Sequence, residues 1–117
     1  MSDKSFFDTN VLVYLYSNDD IVKKAQATSV VAQSDAWVST QALTEYGNVA
    51  SRKLKEPWPH IAAGLKEFTT LFSVHHNTPQ TILRATQVAP RYGFSWFDSL
   101  IVAAALECGC QTLYTED

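Results

Sequence analysis

The sequence has no long hydrophobic run. No apolar stretch approaches the roughly 18 to 20 residues that a helix needs to cross a bilayer. Residues 1–4 lead directly into a strand-like segment, without the apolar core of a secretory signal. These absences predict a cytosolic protein with no membrane partner.

Cysteine is also scarce. Cys108 and Cys110 form one Cys-x-Cys pair, with no second pair and no histidine at metal-ligand spacing. A structural zinc site usually needs four cysteine or histidine ligands, so this pattern argues against one. In a reducing compartment we expect both residues to be buried free thiols.

The chain contains no internal repeat, low-complexity tract or linker. Its 117 residues are 46% hydrophobic, which is enough for one packed core. We therefore expect residues 1–117 to form a single domain.

Short strand-like runs alternate with amphipathic, helix-like stretches. The strand candidates are residues 6–7, 36–39, 72–76 and 111–115, and a helical pattern separates each from the next. This order predicts an α/β fold with a central, mainly parallel sheet flanked by helices. The helical pattern after Pro57 predicts a helical hairpin arm. Ser39, Thr78 and Ser95 are candidate N-caps of helices, and Gly93 and Gly109 are candidate helix ends.

Four acidic residues follow or close these elements. Asp8 ends the first strand candidate, Asp98 heads an alanine-rich helix, Glu45 lies on a polar helix face, and Asp117 closes the last strand candidate. In open α/β sheets, ligands bind outside the carboxyl ends of the strands. We therefore expect the four carboxylates to form a cage for divalent metal.

Each acid also has an ordinary explanation. Asp8 fits the N-cap of the following helix. Asp98 fits the capping box that begins at Ser95. Glu45 fits a solvent-facing helix residue, and Asp117 a terminal residue without a role. The joint pattern, rather than any one acid, favours the metal site.

The four acidic segments resemble, in order and spacing, the motifs of the PIN-domain family. The segments are Phe7-Asp8-Thr9-Asn10-Val11-Leu12, Leu43-Thr44-Glu45, Phe97-Asp98-Ser99-Leu100-Ile101-Val102-Ala103-Ala104-Ala105 and Leu113-Tyr114-Thr115-Glu116-Asp117. The resemblance covers essentially the whole chain. A single domain of this size is most similar to the VapC-type toxin ribonucleases of bacterial toxin–antitoxin pairs.

The resemblance implies a metal-dependent endoribonuclease that a cognate antitoxin protein holds inactive. Four residues would be its catalytic acids and the ligands of Mg²⁺ or Mn²⁺: Asp8, Glu45, Asp98 and Asp117. Three neighbours would orient these carboxylates: Thr9, Asn10 and Thr115. Hard divalent ions prefer oxygen ligands, which suits a site with no assigned cysteine or histidine.

The end of the sequence departs from the family pattern. The chain stops at Asp117, where similar proteins usually continue through a polar loop and one more strand. We therefore expect the C-terminal strand to be absent and Asp117 to lie beside the free α-carboxylate. Asp117 should then be the least ordered of the four acids.

The formal net charge of −3 contrasts with the basic surface of most nucleic-acid binders. The sum is misleading because four of the twelve acids belong to the expected cage, and bound cations would raise the local potential. Asn48 and Arg52 share the polar helix face of Glu45. We expect both to bind the RNA substrate, although a short basic run is more often a solvated helix face.

A protein partner is expected on the early helices and the arm. Residues 11–16, Trp58, Phe68 and Phe72 offer more apolar surface than a small domain comfortably buries. A cognate antitoxin or a second copy of the chain, forming a homodimer, could use this face.

Two alternatives stay open from the sequence. Asp8 could be a phosphatase nucleophile, but position 10 is asparagine where such enzymes usually need a second acid. The chain could also be a catalytically inactive PIN-like module that binds RNA or protein, although no acid of the set is missing. His60, His75 and His76 are expected to have loop or surface roles, since neighbours on a strand point to opposite faces.

Overall fold

A computed structural model of the protein describes residues 3–115. Its strands are β1 (Lys4–Phe7), β2 (Asp35–Ser39), β3 (Ser73–His75) and β4 (Thr112–Tyr114). Its helices are α1 (Thr9–Tyr16), α2 (Ile21–Ala32), α3 (Thr40–Arg52), α4 (Trp58–Leu71), α5 (Pro79–Tyr92) and α6 (Trp96–Cys108). The alternation of strands and helices predicted from the sequence is confirmed.

The four strands form one parallel sheet in the order β3-β2-β1-β4. Phe6 of β1 pairs with Trp37 of β2 on one side and with Leu113 of β4 on the other. Because every pair is parallel, all four strands end on the same side, which we call the carboxyl edge of the sheet. The chain segments that follow the strands therefore meet at this edge.

Helices cover both faces of the sheet. Phe7 packs in the larger core cluster, which includes Leu12, Tyr46 and Phe68 from α1, α3 and α4. Phe6, the preceding residue, packs in a second cluster with Ile101 and other residues of α6. Successive side chains of a strand point to opposite faces, so α1 to α4 lie on one face and α6 on the other.

Side-chain caps and glycines set several helix boundaries. The side chains of Ser39, Thr78 and Ser95 accept hydrogen bonds from backbone N–H groups in the first turns of α3, α5 and α6. Gly93 and Gly109 end α5 and α6 in the left-handed conformation, with φ of 69° and 70°. These boundaries agree with those predicted from the sequence.

The helical hairpin of α3 and α4 packs against the body of the domain. Phe68 and Phe72 are both buried, and the Phe68 ring meets the Tyr46 ring edge to face with centroids 4.9 Å apart. The expectation that Phe68 and Phe72 add surplus apolar surface was therefore wrong, because α4 turns them into the larger core cluster. Trp58 does remain 68% exposed.

Within residues 3–115, no helix is both long enough and apolar enough to span a membrane.

Candidate active site

Asp8 lies where β1 ends at the carboxyl edge and α1 begins. Its side chain is the N-cap of α1, and Oδ1 accepts a hydrogen bond of 3.0 Å from the N–H of Asn10. Its backbone N–H donates to the carbonyl oxygen of Tyr114 at 3.2 Å, which ties this turn to β4. The residue is only 9% exposed. The capping role is compatible with metal binding, because a carboxylate offers about four lone-pair sites.

Asp98 reaches the same place from the other face of the sheet. It lies in the first turn of α6, where its N–H donates to Oγ of Ser95 at 3.2 Å. Asp8 and Asp98 line one cavity of about 430 Å³. Asn10 and Thr115, which the sequence suggested as orienting residues, line it too. The rest of the lining is apolar: Phe94, Ile101, Val102 and Leu113.

Glu45, on α3, does not itself line this cavity but is linked by hydrogen bonds to residues next to those that do. Its Oε1 accepts a hydrogen bond from Oγ1 of Thr9 at 3.1 Å and another from Nε2 of Gln41 at 3.2 Å. Nε2 of Gln41 also lies 3.4 Å from the carbonyl oxygen of Phe97. Glu45 is thus connected to the residue after Asp8 and to the residue before Asp98.

The fourth acid of the expected cage, Asp117, lies outside the described residues. Among residues 3–115, no three acidic, histidine or cysteine side chains converge closely enough to hold a metal ion. The described part of the chain brings Asp8 and Asp98 to one cavity and links Glu45 to Thr9 and, through Gln41, to Phe97.

The donors at the cavity fit a hard cation. They are carboxylate, amide and hydroxyl oxygens, which suit Mg²⁺ and Mn²⁺ better than zinc.

The two cysteines lie elsewhere, near the second core cluster. Burial, with the neighbouring Cys110, raises the pKa of Cys108 to about 12, and burial also raises the pKa of Cys110.

Asn48 and Arg52 are both exposed on α3, one and two turns beyond Glu45. A side chain at either position can reach a ligand that lies along this face of the helix. Their predicted role in RNA binding stays a prediction.

His75 was wrongly expected to have a loop or surface role. It lies on β3 with its side chain only 15% exposed, and its Nε2 is 3.0 Å from Oε1 of Glu107. Its Nδ1 lies 3.1 Å from Oδ1 of Asn77. The partner Glu107 comes from α6, far along the sequence, so no local pattern could reveal the contact.

Sequence reasoning also missed the role of Gln41. It lies four residues before Glu45 on α3, and no contact was predicted for it from the sequence. The i, i+4 spacing from a glutamine to a glutamate was the available signal. No comparable signal marks Asn77, which follows β3 and donates a hydrogen bond to Gln41 from a distant part of the sequence.

The chain belongs to the PIN-domain family, whose family model matches residues 5–117. No curated protein sequence matches the chain. The family assignment agrees with the parallel sheet and with two separated acids that meet at its carboxyl edge.

Solved structures share this fold at low sequence identity. The chain is similar to the Mycobacterium tuberculosis toxin VapC20, which cleaves the sarcin–ricin loop, with a TM-score of 0.80 and 21% identity over 97% of this chain and 90% of that one. VapBC2 from Rickettsia felis, bound to a promoter DNA fragment, has a TM-score of 0.67 and 18% identity over 97% and 87% of the two chains. DNA-bound VapBC from Salmonella typhimurium has a TM-score of 0.65 and 20% identity over 95% and 83%.

Proposed function

We propose that the protein is a metal-dependent endoribonuclease that hydrolyses RNA phosphodiester bonds and is the toxin of a toxin–antitoxin pair. The observation that carries the proposal is the cavity at the carboxyl edge, which both Asp8 and Asp98 line. Membership of the PIN-domain family and the similarity to the toxin VapC20 support it.

In the proposed site, Asp8, Glu45, Asp98 and Asp117 would hold Mg²⁺ or Mn²⁺. When bound, such an ion activates a water molecule for attack and offsets negative charge on the phosphate. The N-terminus of α1 orients the Asp8 carboxylate, because the N–H of Asn10 donates a hydrogen bond to its Oδ1. Thr9 and Gln41 hold the Glu45 carboxylate by donating hydrogen bonds to it.

The rest of the site would bind and shape the RNA. Arg52 would contact a backbone phosphate, and Asn48, nearer to Glu45, would bind a polar group of the same strand. The apolar residues Phe94, Ile101 and Leu113 would form a wall that limits water around the reacting phosphate.

A cognate antitoxin is the proposed protein partner. Two of the neighbouring structures are VapBC complexes. On this chain, exposed apolar side chains on α2 and α4 offer a surface for it: Ile21, Val22, Trp58 and Leu71.

A homodimer could use a second exposed group at the junction of α5 and α6: Tyr92, Phe94, Trp96 and Phe97. Light scattering of the protein alone and with the antitoxin would separate the two associations.

The decisive experiment compares Asp8→Asn and Asp98→Asn with the wild type in RNA cleavage and in calorimetric titration with Mn²⁺. We expect each substitution to abolish cleavage and to weaken Mn²⁺ binding by about tenfold or more, since a neutral amide replaces a charged ligand. Asp19→Asn is the matched control, because Asp19 is an exposed aspartate that does not line the cavity. Circular dichroism checks that each variant is folded.

Cleavage that persists in excess chelator, or full activity in either variant, would contradict the proposal. A protein that binds RNA and Mn²⁺ without cutting would instead be the inactive binding module. Release of inorganic phosphate from a phosphomonoester, with a phosphorylated Asp8, would identify a phosphatase.

A further inference from the structure

A chain of hydrogen bonds crosses the carboxyl edge of the sheet, strand by strand. It begins at His75 on β3, whose Nδ1 lies 3.1 Å from Oδ1 of Asn77. Nδ2 of Asn77 donates to Oε1 of Gln41 at 3.5 Å, and Gln41 donates to Glu45 at 3.2 Å. Thr9, which follows β1, donates to Glu45 from the other side. The order of these contacts follows the strand order β3-β2-β1.

The far end of the chain is firmly held. Oε1 of Glu107 lies 3.0 Å from Nε2 of His75 and accepts a hydrogen bond of 2.6 Å from the Thr81 hydroxyl. Nε of Arg84 lies 3.6 Å from the other oxygen, Oε2. These contacts join β3, α5 and α6, and the side chains of His75 and Glu107 are 15% and 19% exposed. The pair of His75 and Glu107, which we call the anchor, is therefore mostly buried and lies where β3, α5 and α6 meet.

The middle of the chain has a second connection. The backbone N–H of Asn77 donates to Oγ1 of Thr40 at 3.2 Å, so the segment after β3 is tied to the start of α3 by backbone as well as by side chain. Gln41 uses its amide fully: the oxygen accepts from Asn77, and the nitrogen donates to Glu45 and to the carbonyl oxygen of Phe97. One glutamine thus contacts three separate parts of the carboxyl edge.

We propose that Gln41 and Asn77 are positioning residues that hold the Glu45 carboxylate in place from the His75–Glu107 anchor. A free glutamate side chain samples several rotamers, and a ligand that must order it loses affinity. Partners that fix a carboxylate in advance remove this loss, as outer partners of metal ligands commonly do. The consequence for metal binding rests on the proposed function, whereas the hydrogen-bonded chain itself does not.

The first test uses Gln41→Met, which keeps a long side chain and removes its polar groups, in calorimetric titration with Mn²⁺. We expect the dissociation constant to rise about tenfold or more. In a Glu45→Gln background, the same change should alter it by less than about twofold, because residues that act through one another are not additive. Gln87→Met, at an exposed glutamine on α5, is the matched control and should have no effect.

An equal effect of Gln41→Met in both backgrounds would overturn the proposal, because Gln41 would then act independently of Glu45. So would an unchanged Mn²⁺ affinity in Gln41→Met when the wild type binds the ion. Thermal melts of all variants separate these outcomes from loss of the fold.

The second test needs no metal. In the NMR spectrum of the metal-free protein, the side-chain NH₂ of Gln41 should exchange with solvent more slowly than that of Gln87, since it donates two hydrogen bonds. Asn77→Ala should speed this exchange without lowering the melting temperature by more than a few degrees, because only side-chain contacts are removed. A wild-type Gln41 amide that exchanges as fast as that of Gln87 would refute the proposal. If the wild type binds no Mn²⁺, the proposed function fails, while this measurement still decides the positioning role.

Discussion

The hydroxyl of Thr9 donates a hydrogen bond of 3.1 Å to Oε1 of Glu45, across 36 positions of the sequence. Thr9 directly follows Asp8, so the bond connects Glu45 on α3 to the turn between β1 and α1 that carries Asp8. The same oxygen accepts from Gln41 at 3.2 Å. The position of Glu45 is therefore set by partners on two helices rather than by solvent.

Glu45→Gln should separate stability from catalysis. The amide oxygen can still accept from Thr9 and Gln41, so we expect the free energy of unfolding to change by less than about 0.5 kcal/mol. RNA cleavage should fall by about tenfold or more, because a neutral amide cannot replace a carboxylate in the proposed metal site. Thermal melts and cleavage of a labelled RNA measure the two effects. The neighbouring Thr44→Ala, at an exposed position, serves as the control, and wild-type cleavage by Glu45→Gln would contradict the prediction.

Arg52→Ala should weaken RNA binding in a salt-dependent manner. An exposed arginine that contacts one phosphate contributes through counterion release, so its loss should reduce the slope of log affinity against log salt by about 1. Fluorescence anisotropy with RNA at several salt concentrations measures this slope. Lys66→Ala removes a positive charge from an exposed position of α4 and should leave the slope unchanged. Equal low-salt affinities of wild type and Arg52→Ala would exclude Arg52 from the binding surface.

The helix glycines at positions 47 and 64 should respond differently to alanine. A Cβ at Gly47 would meet no atom within 4 Å, so Gly47→Ala should raise the free energy of unfolding by about 0.5 to 1 kcal/mol through helix propensity. A Cβ at Gly64 would lie 3.1 Å from the Tyr16 ring, so the crowding offsets the same gain. Urea denaturation of the two variants measures the difference. A larger gain in Gly64→Ala than in Gly47→Ala would show that the contact with Tyr16 is absent.

Stability should fall as the pH rises above 9, partly because of Cys108. Burial raises the pKa of this thiol from its ordinary value of 9.0 to about 12. Between these values the unfolded chain loses the proton and the native chain keeps it, so unfolding becomes more favourable as the pH rises. Burial likewise raises the pKa of Tyr46 from 10.0 to about 12, which adds to the loss above pH 10.

Urea denaturation from pH 9 to pH 10 tests the thiol contribution. Cys108→Ala should be less stable at pH 9 and should show a smaller decline over this range, since it removes one of the groups that titrate there. The native thiol should also react slowly with an alkylating reagent, because little thiolate is present. Alkylation at the rate of an unfolded control peptide would contradict the prediction.

Local sequence patterns predicted several helix boundaries correctly, because the residues that begin or end a helix act on backbone groups only a few positions away. Ser39 and Thr78 cap helices through backbone N–H groups within the first helical turn, and Gly93 ends α5 in a conformation that favours glycine. The strand that ends before Asp8 was also found, because an apolar run stops where an N-cap residue begins.

Predictions about burial were less reliable. Phe68 and Phe72 were assigned to a partner surface and are buried, because the packing of α4 against α1 and α3 depends on contacts between distant segments. His75 was expected to have a surface or loop role and is instead paired with Glu107 of α6. Helical spacing places Phe68 and Phe72 on one apolar face but does not say whether that face packs inside the domain or against a partner. The contact of His75 depends on a residue of a distant helix, which no periodicity reveals.

The sequence by itself determined the order of strands and helices, several helix boundaries, and the placement of acidic residues after strands or in first turns. These features follow from side-chain spacing and backbone hydrogen bonds over a few residues. Only the tertiary structure decided that Asp8 and Asp98 line one cavity and that Glu45 is held by Thr9 and Gln41. The reason is physical: the parallel order β3-β2-β1-β4 brings distant segments to one edge, and hydrogen bonds across that edge depend on atomic positions that no local pattern specifies.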